Sequence, residues 1–188
     1  FSEAEKYVMD QFIVQGGKSI WLVDPVAMEL DSMLTGRGSA PALPRDLNLK
    51  DFFFHYGVRL PTTLVNDLYC TQIVLATGTG HEAQYNPVPW YYHPQVFSQN
   101  THPINTNLEA VRYQFASPID TLPNAYRKTV LLRSSPLSKT ESTPRTISFE
   151  LLNQPPDPAT YNNGGQPLAV LIEGAFTSMY SNHIKPIP

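Results

Sequence analysis

The stretch Ser2-Glu3-Ala4-Glu5-Lys6-Tyr7-Val8-Met9-Asp10-Gln11-Phe12-Ile13-Val14-Gln15-Gly16-Gly17-Lys18-Ser19-Ile20-Trp21-Leu22-Val23-Asp24-Pro25 sets how the whole chain is read. Ser2 and Glu5 form an S-x-x-E capping box, whose two side chains can satisfy orphan amide donors at a helix start. Val8, Phe12 and Ile13, with Ala4 or Tyr7 a turn earlier, recur at helical spacing and predict the buried face of that helix. Gly16-Gly17 ends it, because glycine tolerates the left-handed cap. Ser19-Ile20-Trp21-Leu22-Val23 follows as a continuous apolar run of the length of a buried strand, and Asp24-Pro25 terminates it. Helix, glycine turn and buried strand make half of an α/β unit.

Outward from there, Thr35 to Pro44 reads as a loop by its glycines and prolines. Asn48 with Asp51 three residues on marks another helix start, with Phe52, Phe53 and Tyr56 on its apolar face and Gly57 closing it. Val58-Arg59-Leu60 is a short extended piece, and Pro61 to Asn66 reads as a short helix. Thr71 to Thr77, Thr129 to Ser134 and Leu168 to Gly174 are expected strands, and Thr146 to Leu151 alternates as a half-exposed one. Between about residues 78 and 123 repeated prolines predict a long irregular region, with Tyr113 to Ala116 returning to the sheet. Gln154 to Pro167 is a Pro/Asn/Gly loop.

The composition narrows the function classes. The 188 residues suit one domain, which at this length buries roughly 70% of its unfolded surface. Charged residues make up 15%, the formal net charge is −3, and no basic run exists, so a nucleic-acid partner is not expected. Cys70 is the sole cysteine, which excludes an intrachain disulfide. No run of about 18 apolar residues predicts a membrane-spanning helix. The start at Phe1 rather than Met, with Ser2 already a helix cap, reads as an excised piece.

Motifs that carry chemistry fail one by one. Gly16-Gly17-Lys18-Ser19 looks like the tail of a phosphate loop, but the glycine required five residues before Gly17 is Phe12, and a helix precedes where a strand should. Gly78-Thr79-Gly80-His81-Glu82-Ala83 matches a dinucleotide fingerprint after a strand, yet Gln84-Tyr85-Asn86-Pro87-Val88-Pro89 cannot form the helix that must follow. Cys70 precedes a strand instead of following one, which is not a nucleophile's place. His81, His93 and His102 share the proline-rich region at spacings that match no zinc pattern. Asp24, Glu29 and Asp31 cluster, with nothing to mark one as a tuned acid or base. No catalytic residue, cofactor or metal site is therefore assigned. The remaining local feature is aromatic: Tyr85, Trp90, Tyr91, Tyr92 and Phe97. Trp90, Tyr91, Tyr92 and His93 are the candidate ligand or partner surface, for a carbohydrate, a peptide or a protein; the competing reading makes them anchors of the loop itself.

Several segments resemble one family in the same order along the chain. They are Tyr7 to Lys18, Trp21 to Pro25, Leu43 to Leu49, Tyr56 to Leu60, His102-Pro103-Ile104, Phe115 to Leu122 and Leu171 to Ser178. The family is the gliding-motility-associated auxiliary component of ABC transporters, GldG. The resemblance implies a non-catalytic α/β domain, a layered sheet with flanking helices of flavodoxin-like or glutamine-amidotransferase-like type, with earlier strands preceding Phe1. It implies a place on the outer, periplasmic side of the cytoplasmic membrane, held by transmembrane helices absent from these residues. It also implies permease and ATPase partners in an export or motility complex, without implying gliding itself.

Overall fold

The capping box forms as its residues require. The Ser2 hydroxyl accepts from the Glu5 amide at 3.3 Å, and the Glu5 carboxylate accepts from the Ser2 amide at 2.7 Å. The computed structural model describes residues 1–77, 84–98, 102–182 and 185–186, and it places helix α1 at Glu3–Val14. The inward face of α1 differs from the predicted one: Lys6, Asp10 and Ile13 are buried, whereas Val8 and Phe12 are 58% and 54% exposed.

Charge pairing explains this rotation. The Lys6 ammonium lies 2.6 Å from Glu3 and 2.8 Å from Asp51. Asp10 accepts from the Tyr56 hydroxyl at 2.7 Å, the Ser178 hydroxyl at 2.5 Å and the Met179 amide at 3.0 Å. Buried charges are tolerated when paired and hydrogen-bonded, and both of these are. Asp10 thereby holds three separate parts of the chain together: α1, the end of the helix before Tyr56 and the C-terminal segment.

That helix, α3 (Lys50–His55), follows an equally short α2 (Leu30–Thr35). Phe52, Phe53 and Tyr56 are buried as their spacing predicts, in a cluster with Ile13, Leu49 and Val58. The start differs from expectation. Leu49 occupies the cap, and Asn48 adopts φ +55° with its amide donating to the Phe1 carbonyl at 2.8 Å. Gly57 closes the helix at φ +86°, where a side chain would be strained and would also meet Asn124 and Lys128.

The strands form small sheets, and every recorded pairing is antiparallel. In chain order they are β1 (Val26–Ala27), β2 (Ser39–Pro44), β3 (Val58–Arg59), β4 (Thr63–Asp67), β5 (Cys70–Thr77), β6 (Gln84–Phe97), β7 (Ala110–Arg112), β8 (Asp120–Thr121), β9 (Arg127–Arg133), β10 (Ser138–Ser142), β11 (Arg145–Ser148) and β12 (Pro167–Glu173). The sheets run β1-β2-β11, β5-β6-β7, β4-β10, β9-β12 and β3-β8. The architecture is a strand-rich mixture of α and β elements, without the parallel layering that the resemblance implies among the described residues.

Several local readings change. Ser19 to Val23, expected as a buried strand, lies outside every sheet, with Ile20 92% and Leu22 95% exposed. Tyr113 to Ala116 runs beside β6 without forming a strand of its own, and Thr146 to Leu151 is strand only as far as Ser148 before a 3-10 turn at Phe149–Asn153. The loop expected over Thr35 to Pro44 contains β2, whose Ala40 and Ala42 point inward against Ile147 and Met33 in one core cluster. The short helix expected from Pro61 is β4, rich in β-branched Thr and Val and paired with β10 from Thr63↔Ser142 to Asp67↔Ser138. The irregular region holds the longest strand, β6, despite Pro87, Pro89 and Pro94. Pro87 and Pro89 are two residues apart, so their missing N–H groups fall on one edge, and Asn86 and Val88 can carry the ladder to β5 from the other.

The Asp10 network gives a stability prediction. Asp10→Ala strands one buried and two half-buried donors, and it should lower the unfolding free energy by about 2–4 kcal/mol, with Tyr56→Phe costing about 1–2 kcal/mol. In a urea double-mutant cycle the two losses should be strongly non-additive, because they share one hydrogen bond. An Asp10→Ala loss below about 1 kcal/mol would show that the carboxylate does not hold the three segments together.

Candidate functional site

The aromatic run lies on β6, and its second half dives into the core. Trp90, Tyr92 and His93 are 0%, 1% and 0% exposed, and only Tyr91 remains half-buried. Trp90 packs against Tyr92 at 5.6 Å and Phe149 at 5.3 Å between ring centroids. Phe115 stacks on Tyr92, and His93 meets the same Phe115 edge-on at 5.1 Å. Backbone bonds from Phe115 to Tyr92 and from Tyr113 to Pro94 bring this neighbouring strip alongside β6. These rings anchor β6; Trp90 and Tyr92 leave no open face on which a sugar could stack.

Polar tips of the run have specific surroundings. The Tyr92 hydroxyl donates to the Glu141 carboxylate, which Arg145 also approaches at 2.7 Å and Lys139 at 3.3 Å. Burial first, and then the Glu141 charge, push the Tyr92 phenol well above its usual range. Arg112 donates to His93 Nδ1 at 3.0 Å. A guanidinium can only donate, so Nδ1 is the acceptor and the ring proton sits on Nε2. Nε2 and the Trp90 indole nitrogen have no partner among the described residues. Burial, with the Arg112 charge second, lowers the His93 pKa to about 4, which keeps the imidazole neutral near pH 7.

The other candidates are dispersed. Cys70 opens β5, and burial pushes its thiol up to about 11, the opposite of an activated nucleophile. His102 Nδ1 accepts from the Ile104 amide at 3.2 Å and caps a single 3-10 turn. His81 and the whole Gly78 to Ala83 fingerprint lie outside the described residues; the described chain after them is β6, a strand where a nucleotide site needs a helix. Gly16-Gly17-Lys18 joins α1 to an extended segment, also the wrong order for a phosphate loop. Asp24, Glu29 and Asp31 line a shallow cavity of about 340 Å³ with Met28, Leu30, Gln114 and Phe115. Among the described residues no group of three or more His, Cys, Asp or Glu side chains is placed to hold a metal.

The face that the sequence reading missed is apolar and near the N-terminus. Because Lys6 and Asp10 turn α1 inward, Phe1, Val8 and Phe12 are left more than half exposed. Phe1, Ala4, Glu5, Val8 and Met9 line an open groove of about 410 Å³. The next segment, residues 18–24, lies outside every helix and sheet, and its burial alternates from Ile20 onward: Trp21 and Val23 pack on the α1–α3 cluster, while Ile20 and Leu22 are 92% and 95% exposed. Exposed apolar side chains grouped on one element in this way mark interaction sites. The signal was present in the spacing, since α1 carries apolar residues on two sides, Ala4/Val8/Phe12 and Met9/Ile13.

A family model described as ABC-type uncharacterized transport system matches residues 1–188. No curated protein and no solved structure matches the chain.

His93 supplies a pH prediction. Its folded value near 4 lies below the ordinary value near 6.5, so the unfolded chain binds more protons between those limits. Stability from this group is complete above about pH 6.5 and is lost as pH falls towards 4. Between pH 7 and 5 the urea unfolding free energy should drop by up to about 2 kcal/mol from His93 alone. His93→Gln should remove that part of the slope; an identical slope in the variant would contradict a buried neutral histidine.

Proposed function

The chain belongs to the ABC-type uncharacterized transport system family, and on that premise we propose that it is a non-catalytic, extracytoplasmic auxiliary module that works through protein contacts. The observation that carries this reading is the family match across every residue from 1 to 188. The partners proposed are the permease and ATPase subunits of such a system. Bilayer attachment is assigned to transmembrane helices outside these residues; among the described residues no helix is long and apolar enough to cross a membrane.

The disposition of reactive groups supports a contact role. Cys70 is held protonated, His93 is neutral and enclosed, and the Asp10 carboxylate is consumed by structural hydrogen bonds. What the molecule offers its surroundings is instead the outer side of α1, where Phe1, Val8 and Phe12 stand beside an apolar groove. Large side chains on a rigid, capped helix lose little conformational freedom on docking, which favours them as contact residues.

Affinity purification of the full-length parent protein from detergent-solubilised membranes tests both parts. The permease and ATPase subunits should be recovered together with it, and failure to recover either would overturn the transport-complex reading. Val8→Asp/Phe12→Asp should reduce that recovery by about tenfold or more, since both residues would sit at the contact. The melting temperature should stay unchanged because both side chains are exposed; undiminished recovery would move the contact away from α1.

A further inference from the structure

Between the Gly17 amide, which donates to Phe12, and the Pro25 carbonyl, which accepts from Arg45, the chain makes no backbone hydrogen bond among the described residues. Seven consecutive residues, Lys18 to Asp24, thus lie outside every helix and sheet, and from Ile20 to Asp24 exposed and half-buried residues alternate with the period of an extended chain. They are nevertheless held in place. Trp21 packs on Phe52 at 5.2 Å and on Phe53 at 5.3 Å, and Val23 joins the same cluster. An ordered strand with a free row of N–H and C=O groups is a template for another strand, and natural proteins blunt such edges or use them. No proline or bulge blunts this one within residues 18–24.

The outward face identifies the occupant. Lys18, Ile20, Leu22 and Asp24 are all exposed and, by the period of an extended chain, share one side. Neither Lys18 nor Asp24 has an ion-pair partner among the described residues. Read outward, the face runs positive, apolar, apolar, negative. An antiparallel copy of the same segment reads negative, apolar, apolar, positive. With Trp21 opposite Trp21, Lys18 meets Asp24 at both ends and Ile20 meets Leu22 twice in the middle. A parallel copy would set lysine on lysine, and a one-residue slip would leave both charges opposite the wrong neighbours. Asp24 also borders the cavity lined by Glu29 and Asp31, and neither of these has a recorded cationic partner. The incoming Lys18 therefore arrives at three carboxylates.

We propose that residues 18–24 form a homodimer strand interface, in which a second copy of this chain adds antiparallel across the edge in the register centred on Trp21. The arrangement is two-fold symmetric, so it closes on itself and does not propagate into a fibre. It does not rest on the transporter assignment, because it uses a surface distinct from the outer side of α1 and needs no other subunit.

Sedimentation velocity on the purified chain, from about 1 to 500 μM, tests it in the range where modest interfaces are read. A concentration-dependent dimer is expected. Leu22→Asp should leave a monomer across the range, and Lys18→Asp or Asp24→Lys alone should weaken dimerisation about tenfold or more. The combined Lys18→Asp/Asp24→Lys chain should recover most of the lost affinity, because the two ends then exchange signs. All three substituted positions are exposed, so circular dichroism should report unchanged folding. A wild-type monomer at every concentration overturns the proposal. So does a dimer indifferent to Leu22→Asp, or a charge reversal that fails to restore what the single changes remove.

Discussion

The carboxylate of Asp10 is the constraint on which the placement of the helices depends. It is fully enclosed; besides the neighbouring Gln11 side chain, its hydrogen bonds come from Tyr56 beyond α3 and from Ser178 and Met179 near the C-terminus. A buried charge of this kind is costly unless its lone pairs are filled, so the three donors must arrive together or not at all. The requirement couples segments about 45 and 170 residues apart in sequence, and the hydrophobic cluster of Ile13, Phe52, Phe53 and Tyr56 packs around the result. Burial also raises the Tyr56 phenol far above its ordinary range, with Asp10 second, so it stays a donor at any pH where the fold is stable.

A second enclosed carboxylate, Asp67, repeats the device between strands. Asp67 at the end of β4 accepts from the Tyr69 amide at 2.9 Å and from the Ser135 amide at 2.8 Å. It joins the β4–β5 turn to the approach of β10 and so sets the register of the β4–β10 pair. Neither Asp10 nor Asp67 is marked by any local motif. Their roles come from donors far away in the chain, which is why reading residues in order does not find them.

What was legible follows the same division between local and distant causes. The capping box, the α3 aromatic face, Gly57 and strands β5, β9 and β12 rest on patterns within about ten residues, and all of them appear. β2, β4 and β6 do not look like strands locally, because proline and polar residues depress the signal. They become strands through partners: Ala40 opposite Ile147, Val65 opposite Thr140, Val88 opposite Ile73. Proline lacks a donor, but on the unpaired edge of a ladder it forfeits nothing, and its fixed φ lowers the entropy lost on ordering. The aromatic run Trp90 to His93 was conspicuous for the right reason, its size, and belongs inside because two clusters of the core meet along β6 and its neighbours. Of the candidate site, composition and family resemblance were readable, while the exposed face was not.

The exposed face is a consequence of the buried network. Within the first 24 residues the usual partition is inverted: Lys6 and Asp10 lie inside, while Val8, Phe12, Ile20 and Leu22 lie outside. A helix with apolar residues on two sides has two ways to pack, and hydrophobic burial alone would not choose between them strongly. Asp51, Tyr56 and Ser178 choose by offering Lys6 and Asp10 partners on one side only. Turning α1 by half a revolution would bury Val8 and Phe12, worth about 1.5–3 kcal/mol each. It would also strip two charges of their partners, at a cost of several kcal/mol each, so the polar side wins. The apolar stripe of α1 is therefore held outward by an interior charge network. Through Gly16-Gly17 the same rotation sets the direction in which the strand from Lys18 to Asp24 leaves the helix, with Trp21 inward and Ile20 and Leu22 outward.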